Sequence, residues 1–109
     1  MVRVVSGAAA AMTEAELDRA VRALLADLGL FGFHPYDSRR SAPGWPDWTI
    51  IGSRVLFREL KTQDGRLSSA QRTVLYLLQS AGQDAGTWRP ADLLNGTIAK
   101  ELGAIARSR

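Results

Sequence analysis

Cysteine is absent from the 109 residues, which excludes disulfides, thiolate metal sites and a cysteine nucleophile. Histidine occurs once, at His34, so one chain cannot build a multi-histidine zinc centre. No apolar run approaches the roughly 20 residues of a membrane span. The opening residues carry only Arg3 and few large apolar side chains, unlike a secretory signal. These absences lead us to expect a cytoplasmic protein without a membrane partner. A glycine-rich phosphate loop is also missing, which argues against a phosphate-metabolite hydrolase. Any metal would have to be held by oxygen, which favours Mg²⁺, with Mn²⁺ as a substitute.

What is present reads as one globular domain. Hydrophobic residues make up 46% and charged residues 23%, enough for a single core. The net charge of +3, with a pI near 10, is carried mostly by arginine and gives a mild bias toward polyanions. Residues 1–12 read as a flexible extension, 13–104 as the domain and 105–109 as a frayed tail.

From Thr13 to Gly29, Leu17, Val21, Leu24, Leu25 and Leu28 recur at helical spacing, and Gly29 ends the helix. Thr13 and Glu16 fit a capping box at its start. Residues 30–36 read as a first strand, irregular because of Gly32 and Pro35. The loop that follows is basic and polar, and its Arg39, Arg40 and Ser41 suit phosphate oxygens. His34 could serve as a general base, as a phosphate ligand or as a packed strand residue.

Gly44-Trp45-Pro46-Asp47 then leads into two apolar runs, 48–51 and 55–58, split by Gly52-Ser53, a β-hairpin pattern. The second run ends in Glu59-Leu60-Lys61, where Glu59 and Lys61 share a face. A two-residue turn would oppose Asp47 to Arg58. A three-residue loop, 52–54, opposes Asp47 to Glu59 with Cβ atoms roughly 4.5–5.5 Å apart. The second register is expected, because it lets two carboxylates grip one Mg²⁺. Two acids and a lysine on adjacent strands point to metal-assisted hydrolysis.

Ser68 caps a helix that buries Val74, Leu75, Leu77 and Leu78 and ends near Gly82, with Ser68 and Gln71 again in capping-box spacing. Arg66 and Arg72 flank its start and suit phosphates. A short strand at 87–89 and a terminal helix at 91–102 complete the chain.

Gly44-x-Pro46-Asp47, Glu59-x-Lys61 and Arg66-Leu67-Ser68-x-x-Gln71, behind a helix bearing Glu16, resemble the VRR-NUC family of the PD-(D/E)XK nuclease superfamily. The resemblance spans roughly residues 13 to 90 and is to small stand-alone members of bacterial or phage type. It implies an α/β fold of helix, three strands, helix and strand, with a small mixed sheet flanked by helices. It also implies a Mg²⁺-dependent endodeoxyribonuclease, with Asp47, Glu59, Lys61, Glu16 and Gln71 as catalytic residues. Asp47, Glu59, the Leu60 carbonyl and Glu16 would hold the metal, with Glu14 as the alternative helix acid. His34, Arg39, Arg40, Ser41, Arg66 and Arg72 would contact DNA. Without a base-reading module, selectivity is expected for DNA shape, such as a branch or four-way junction. Paired cuts there suggest a homodimer, with the terminal helix and apolar residues near Trp88 as its surface. The rival reading is a non-catalytic nucleic-acid-binding accessory module on the same fold.

Overall fold

The structure, a computed structural model, describes residues 7–35 and 42–107. Its elements are α1 (Gly7–Ala11), α2 (Glu14–Leu28), β1 (Phe31–Phe33), β2 (Trp48–Ile51), β3 (Val55–Leu60), α3 (Ser69–Ser80), β4 (Asp84–Trp88), α4 (Pro90–Leu94) and α5 (Thr97–Ile105). The four strands form one mixed sheet in the order β1-β2-β3-β4. The pairs β1–β2 and β2–β3 are antiparallel, while β3–β4 is parallel. The parallel pair requires a crossover, and α3 supplies it. The result is a small α/β domain whose mixed sheet is flanked by helices.

Strand alternation divides the sheet into two unlike faces. On one face Trp48, Ile50, Leu56, Leu60 and Trp88 join Leu17, Val21, Leu25, Ile98, Leu102 and Ile105 in the core beneath α2 and α5. On the other, α3 lies along β4, and Gln79 Nε2 donates to the Ala85 carbonyl at 2.8 Å. Leu75 is the buried residue of α3 and stands outside the main core. On the β1–β2 half of this second face Phe31, Phe33 and Ile51 are exposed.

Several sequence expectations change. In α3 Leu77 is exposed where burial was expected, and the last strand covers Asp84–Trp88 where 87–89 was expected. Residues 7–11, expected to belong to a flexible extension, form α1 and bury Ala9. The expected terminal helix is two helices, because Gly96 takes φ +85° at the N-cap of α5 and breaks the run. The expected frayed tail is anchored through Arg107. Ile105 is buried and its carbonyl accepts from Ser53 N, while Arg107 Nη2 donates to the Gly52 carbonyl at 2.9 Å. No helix among the described residues is long and apolar enough to cross a membrane.

The core face also holds a charge. Arg58 is buried within a polar network: its Nη2 donates to Asp84 Oδ1 at 2.8 Å and to Glu101 Oε1 at 3.1 Å. Its Nη1 reaches the Phe57 and Asp84 carbonyls, and the guanidinium lies over the Trp88 ring. Trp88 Nε1 donates to the same Glu101 oxygen at 2.8 Å. A buried guanidinium is tolerable only when each such donor is matched. Arg58→Ala is expected to cost on the order of 3 kcal/mol, near the low end for a broken buried pair because Asp84 and Glu101 keep part of their hydration. Arg58→Met, which keeps the volume, should cost clearly less. Urea denaturation of both variants checks this ordering, and equal losses would contradict it.

Candidate active site

The site begins with the lead-in to β2. Gly44 sits at φ +84°, and a Cβ there would run into the Ala70 backbone carbonyl. Glycine therefore lets the 42–45 turn lie directly on the start of α3. Trp45 packs edge-on against Phe57 at 5.8 Å, and Pro46 is fully buried. This wedge fixes where Asp47 enters the sheet.

The hairpin adopts the three-residue loop. Ile51 pairs with Val55 and Trp48 with Arg58, and one further step sets Asp47 against Glu59. Asp47 Oδ2 accepts the Leu60 backbone N–H at 2.7 Å. The next peptide N–H, that of Lys61, donates the other way, to Trp88 O at 3.1 Å. With every described peptide trans, the Leu60 carbonyl therefore points back to Asp47's side.

Glu59 is only 3% exposed. Burial, then a hydrogen bond with Asp47, then the Asp47 charge push its carboxyl up to about 9; Glu14 adds to this and Lys61 opposes it. Near neutral pH the pair thus holds a proton between two carboxyl groups, because two adjacent anions in a dry site are costly. A cavity of about 290 Å³ opens beside them, lined by Glu14, Ala15, Asp18, His34, Asp47 and Leu60.

Glu16 is not among the residues brought together. Its Oε1 accepts from Thr13 N and Thr13 Oγ1, both at 3.0 Å, completing a capping box. The Thr13 backbone N–H, then its hydroxyl, holds this exposed carboxyl below its ordinary value. The helix acid at the cavity is Glu14, the sequence alternative. At about 100° per residue, Glu16 lies roughly 200° round the helix from Glu14. Glu14 and Asp18 instead lie together along one edge of the Leu17–Val21 stripe. That shared edge was readable in the sequence and makes Asp18 a candidate beside Glu14, one that sequence reasoning missed; its partners come from packing.

Asp18 organises one wall of the cavity. Its Oδ1 accepts from Trp48 Nε1 at 2.9 Å, and its Oδ2 accepts from Arg22 Nε at 2.7 Å. His34 Nε2 lies 3.4 Å from Asp18 Oδ1, Nδ1 lies 3.0 Å from the Pro35 carbonyl, and the ring stands edge-on to Trp48.

The remaining predicted residues lie further out. Gln71 Oε1 accepts from Ser68 N at 2.8 Å and its own N–H donates to Ser68 Oγ at 3.1 Å, so its carboxamide oxygen is engaged in the α3 cap. Arg66 and Arg72 line a second cavity of about 360 Å³ with Gln63, Asp64 and Arg89. Arg89 Nη1 donates to the carbonyls of Thr62 and Gly65, pinning the turn after Lys61. Arg39, Arg40 and Ser41 lie outside the described residues.

Among the described residues no three or more His, Cys, Asp or Glu side chains gather as a metal-holding group. The oxygen donors at hand are the Asp47 and Glu59 carboxyls and the Leu60 carbonyl. Their chemistry fits a hard divalent cation, whose charge would replace the proton held between the acids. No family model, curated protein or solved structure matches this chain.

Glu59 makes stability depend on pH. Below its ordinary value of 4.5 both folded and unfolded chains are protonated there and the group has no effect. Between 4.5 and about 9 the unfolded chain releases the proton while the fold retains it, so rising pH destabilises the fold by at most about 1.4 kcal/mol per unit. Glu59→Gln should flatten this decline and leave the metal-free variant more stable than wild type at pH 8. Urea titrations at pH 5 and pH 8 test it; parallel losses in both proteins would refute the assignment.

Proposed function

We propose that this chain is a divalent-cation-dependent endodeoxyribonuclease of the VRR-NUC type within the PD-(D/E)XK superfamily, selective for branched DNA. The observation that carries the reading is the Asp47–Glu59 pair. A carboxyl whose burial and acidic neighbour favour its protonated form, with a lysine acting on it and a cavity beside Asp47, gains a purpose when a cation is bound. Asp47, Glu59 and the Leu60 carbonyl would hold Mg²⁺ or Mn²⁺, with Glu14 at the cavity edge. The bound ion would supply an acidified water and neutralise charge on the phosphate.

The chain's own residues supply the rest. Lys61 brings a cation to the acid pair, where negative charge grows as the phosphate is attacked. The turn pinned by Arg89 limits where its backbone can go. Asp18 orients His34 and Trp48 along the cavity wall, where a DNA strand would pass. Arg66 and Arg72 are suited to phosphates, which position DNA without reading its bases. Gln71 supports the site through the α3 cap that meets Gly44.

Paired cutting of a junction calls for two copies, and a homodimer belongs to this reading. Trp88, expected to lie at its surface, is buried at 1% exposure, and α5 buries Ile98, Leu102 and Ile105 in the core. Among the described residues, the exposed large apolar side chains of the helices are Tyr76 and Leu77 on α3 and Leu94 on α4.

Cleavage of branched and linear DNA in Mg²⁺ tests the reading. Lys61→Ala should lower the rate at least about 10²-fold, while affinity for DNA in Ca²⁺ changes little. Unimpaired cutting by Lys61→Ala or Asp47→Asn would end the proposal, and binding without any wild-type turnover would favour the accessory-module alternative. Mn²⁺ should raise the melting temperature of wild type but not of Asp47→Asn.

The helix acids separate in the same assay. Glu14→Gln should reduce cleavage and Mn²⁺ stabilisation together. Glu16→Gln should cost only part of a helix cap, about 1 kcal/mol or less, with cleavage retained. The reverse pattern would return the site acid to Glu16.

A further inference from the structure

The face of the sheet that carries Asp47 and Glu59 continues into an open apolar strip. Phe31 pairs with Ile51 and Ile51 with Val55; Phe33 pairs with Thr49 and Thr49 with Phe57. Residues paired across strands share a face, so these form two rows, and the next row along is the Asp47–Glu59 pair. Phe31, Phe33 and Ile51 are 64%, 54% and 45% exposed. A contiguous set of large apolar side chains left open on a sheet marks a contact surface.

We propose that this strip stacks unpaired bases of the DNA strand that leads to the scissile position; the inference rests on the nuclease reading above and specifies its substrate. Three features favour this occupant. The strip adjoins the acid-pair row on the same face, with Trp45 edge-on to Phe57 beside it, so a strand held at Asp47 lies within reach of it. Successive rows are two residues apart, roughly 6.8 Å, twice the 3.4 Å rise of stacked bases in duplex DNA. A strand following the rows must therefore be unstacked, which a single-stranded arm tolerates and a continuous duplex does not. Phenyl rings on an open sheet also suit bases of any sequence, because every base has a π-face.

A second copy of the chain fits less well. The exposed part of two Phe and one Ile amounts to roughly 300 Å² at the usual aromatic areas, well short of the ~800 Å² per partner of a stable interface. A partner seated there would also cover the Asp47–Glu59 row.

Affinity in Ca²⁺ for a duplex bearing a thymidine arm, compared with the same duplex bearing an abasic arm, tests the proposal. Phe33→Ala should weaken binding of the thymidine-armed DNA by about 5- to 100-fold, the usual worth of one stacked base, and Phe31→Ala by a smaller factor in that range. On the abasic arm, wild type and variants should bind alike. Equal affinity of wild type for the two arms, or equal losses by the variants on both, would overturn the platform. So would a wild-type dimer that Phe31→Ala or Phe33→Ala dissociates in light scattering, since the strip would then belong to a second copy. Cleavage in Mg²⁺, followed in parallel, separates the two levels. A wild type that cuts DNA yet ignores arm bases overturns the platform alone, whereas one that neither binds nor cuts any of these DNAs overturns the nuclease reading with it.

Discussion

The register of the β2–β3 hairpin is the constraint on which the candidate site depends. A slip of one residue would turn every side chain of β3 to the opposite face, burying Glu59 and Lys61 in the apolar core and expelling Leu56 and Leu60. The hydrophobic alternation selects one register, and the end of the chain fixes the turn that closes it. Gly52 lies so close to the Ile105 carbonyl that a Cβ would collide with it. Ser53 N donates to that carbonyl, and Arg107 donates to Gly52 O. The final helix thus holds the turn, and the turn determines that Asp47 meets Glu59 at the far end of the hairpin.

The two faces of β3 treat charge in opposite ways. On the core face Arg58 is matched by two carboxylates, two carbonyls and an indole ring. That network resolves the cost of burying a guanidinium. On the other face Glu59, one residue on, is set against another acid and is left with a proton that a carboxylate in water would have lost. A fold selected only for stability has no reason to retain such a pair. The contrast within one strand sets the Asp47–Glu59 row apart as the part of β3 where burial opposes charge. The open strip of Phe31, Phe33 and Ile51 lies on this same face, and there too the structure forgoes burial it could have had.

Much of this was written in local sequence. The spacing of Leu17, Val21 and Leu25 specified α2 and its buried stripe, and Thr13 and Ser68 each marked a helix start through a capping box that forms as spaced. The apolar runs on either side of Gly52 specified the hairpin, and Gly44 and Pro46 its rigid entry. These features depend on interactions within a few residues, where backbone sterics and side-chain periodicity decide the outcome.

What the sequence left open depended on residues far apart in the chain. Glu14 and Glu16 are both acids in the first turn of α2; the direction in which the helix docks on the sheet decides that Glu14 reaches the cavity and Glu16 remains at the cap. Asp18 became a wall residue because Trp48 and His34, distant in sequence, converge on it. Trp88 looked available for a partner until Glu101 and Arg58 enclosed it. The sequence alone specified α2, α3 and the hairpin, and which side chains of each strand share a face. Packing alone decided which faces meet, because burial and desolvation belong to no residue until the chain has closed around it.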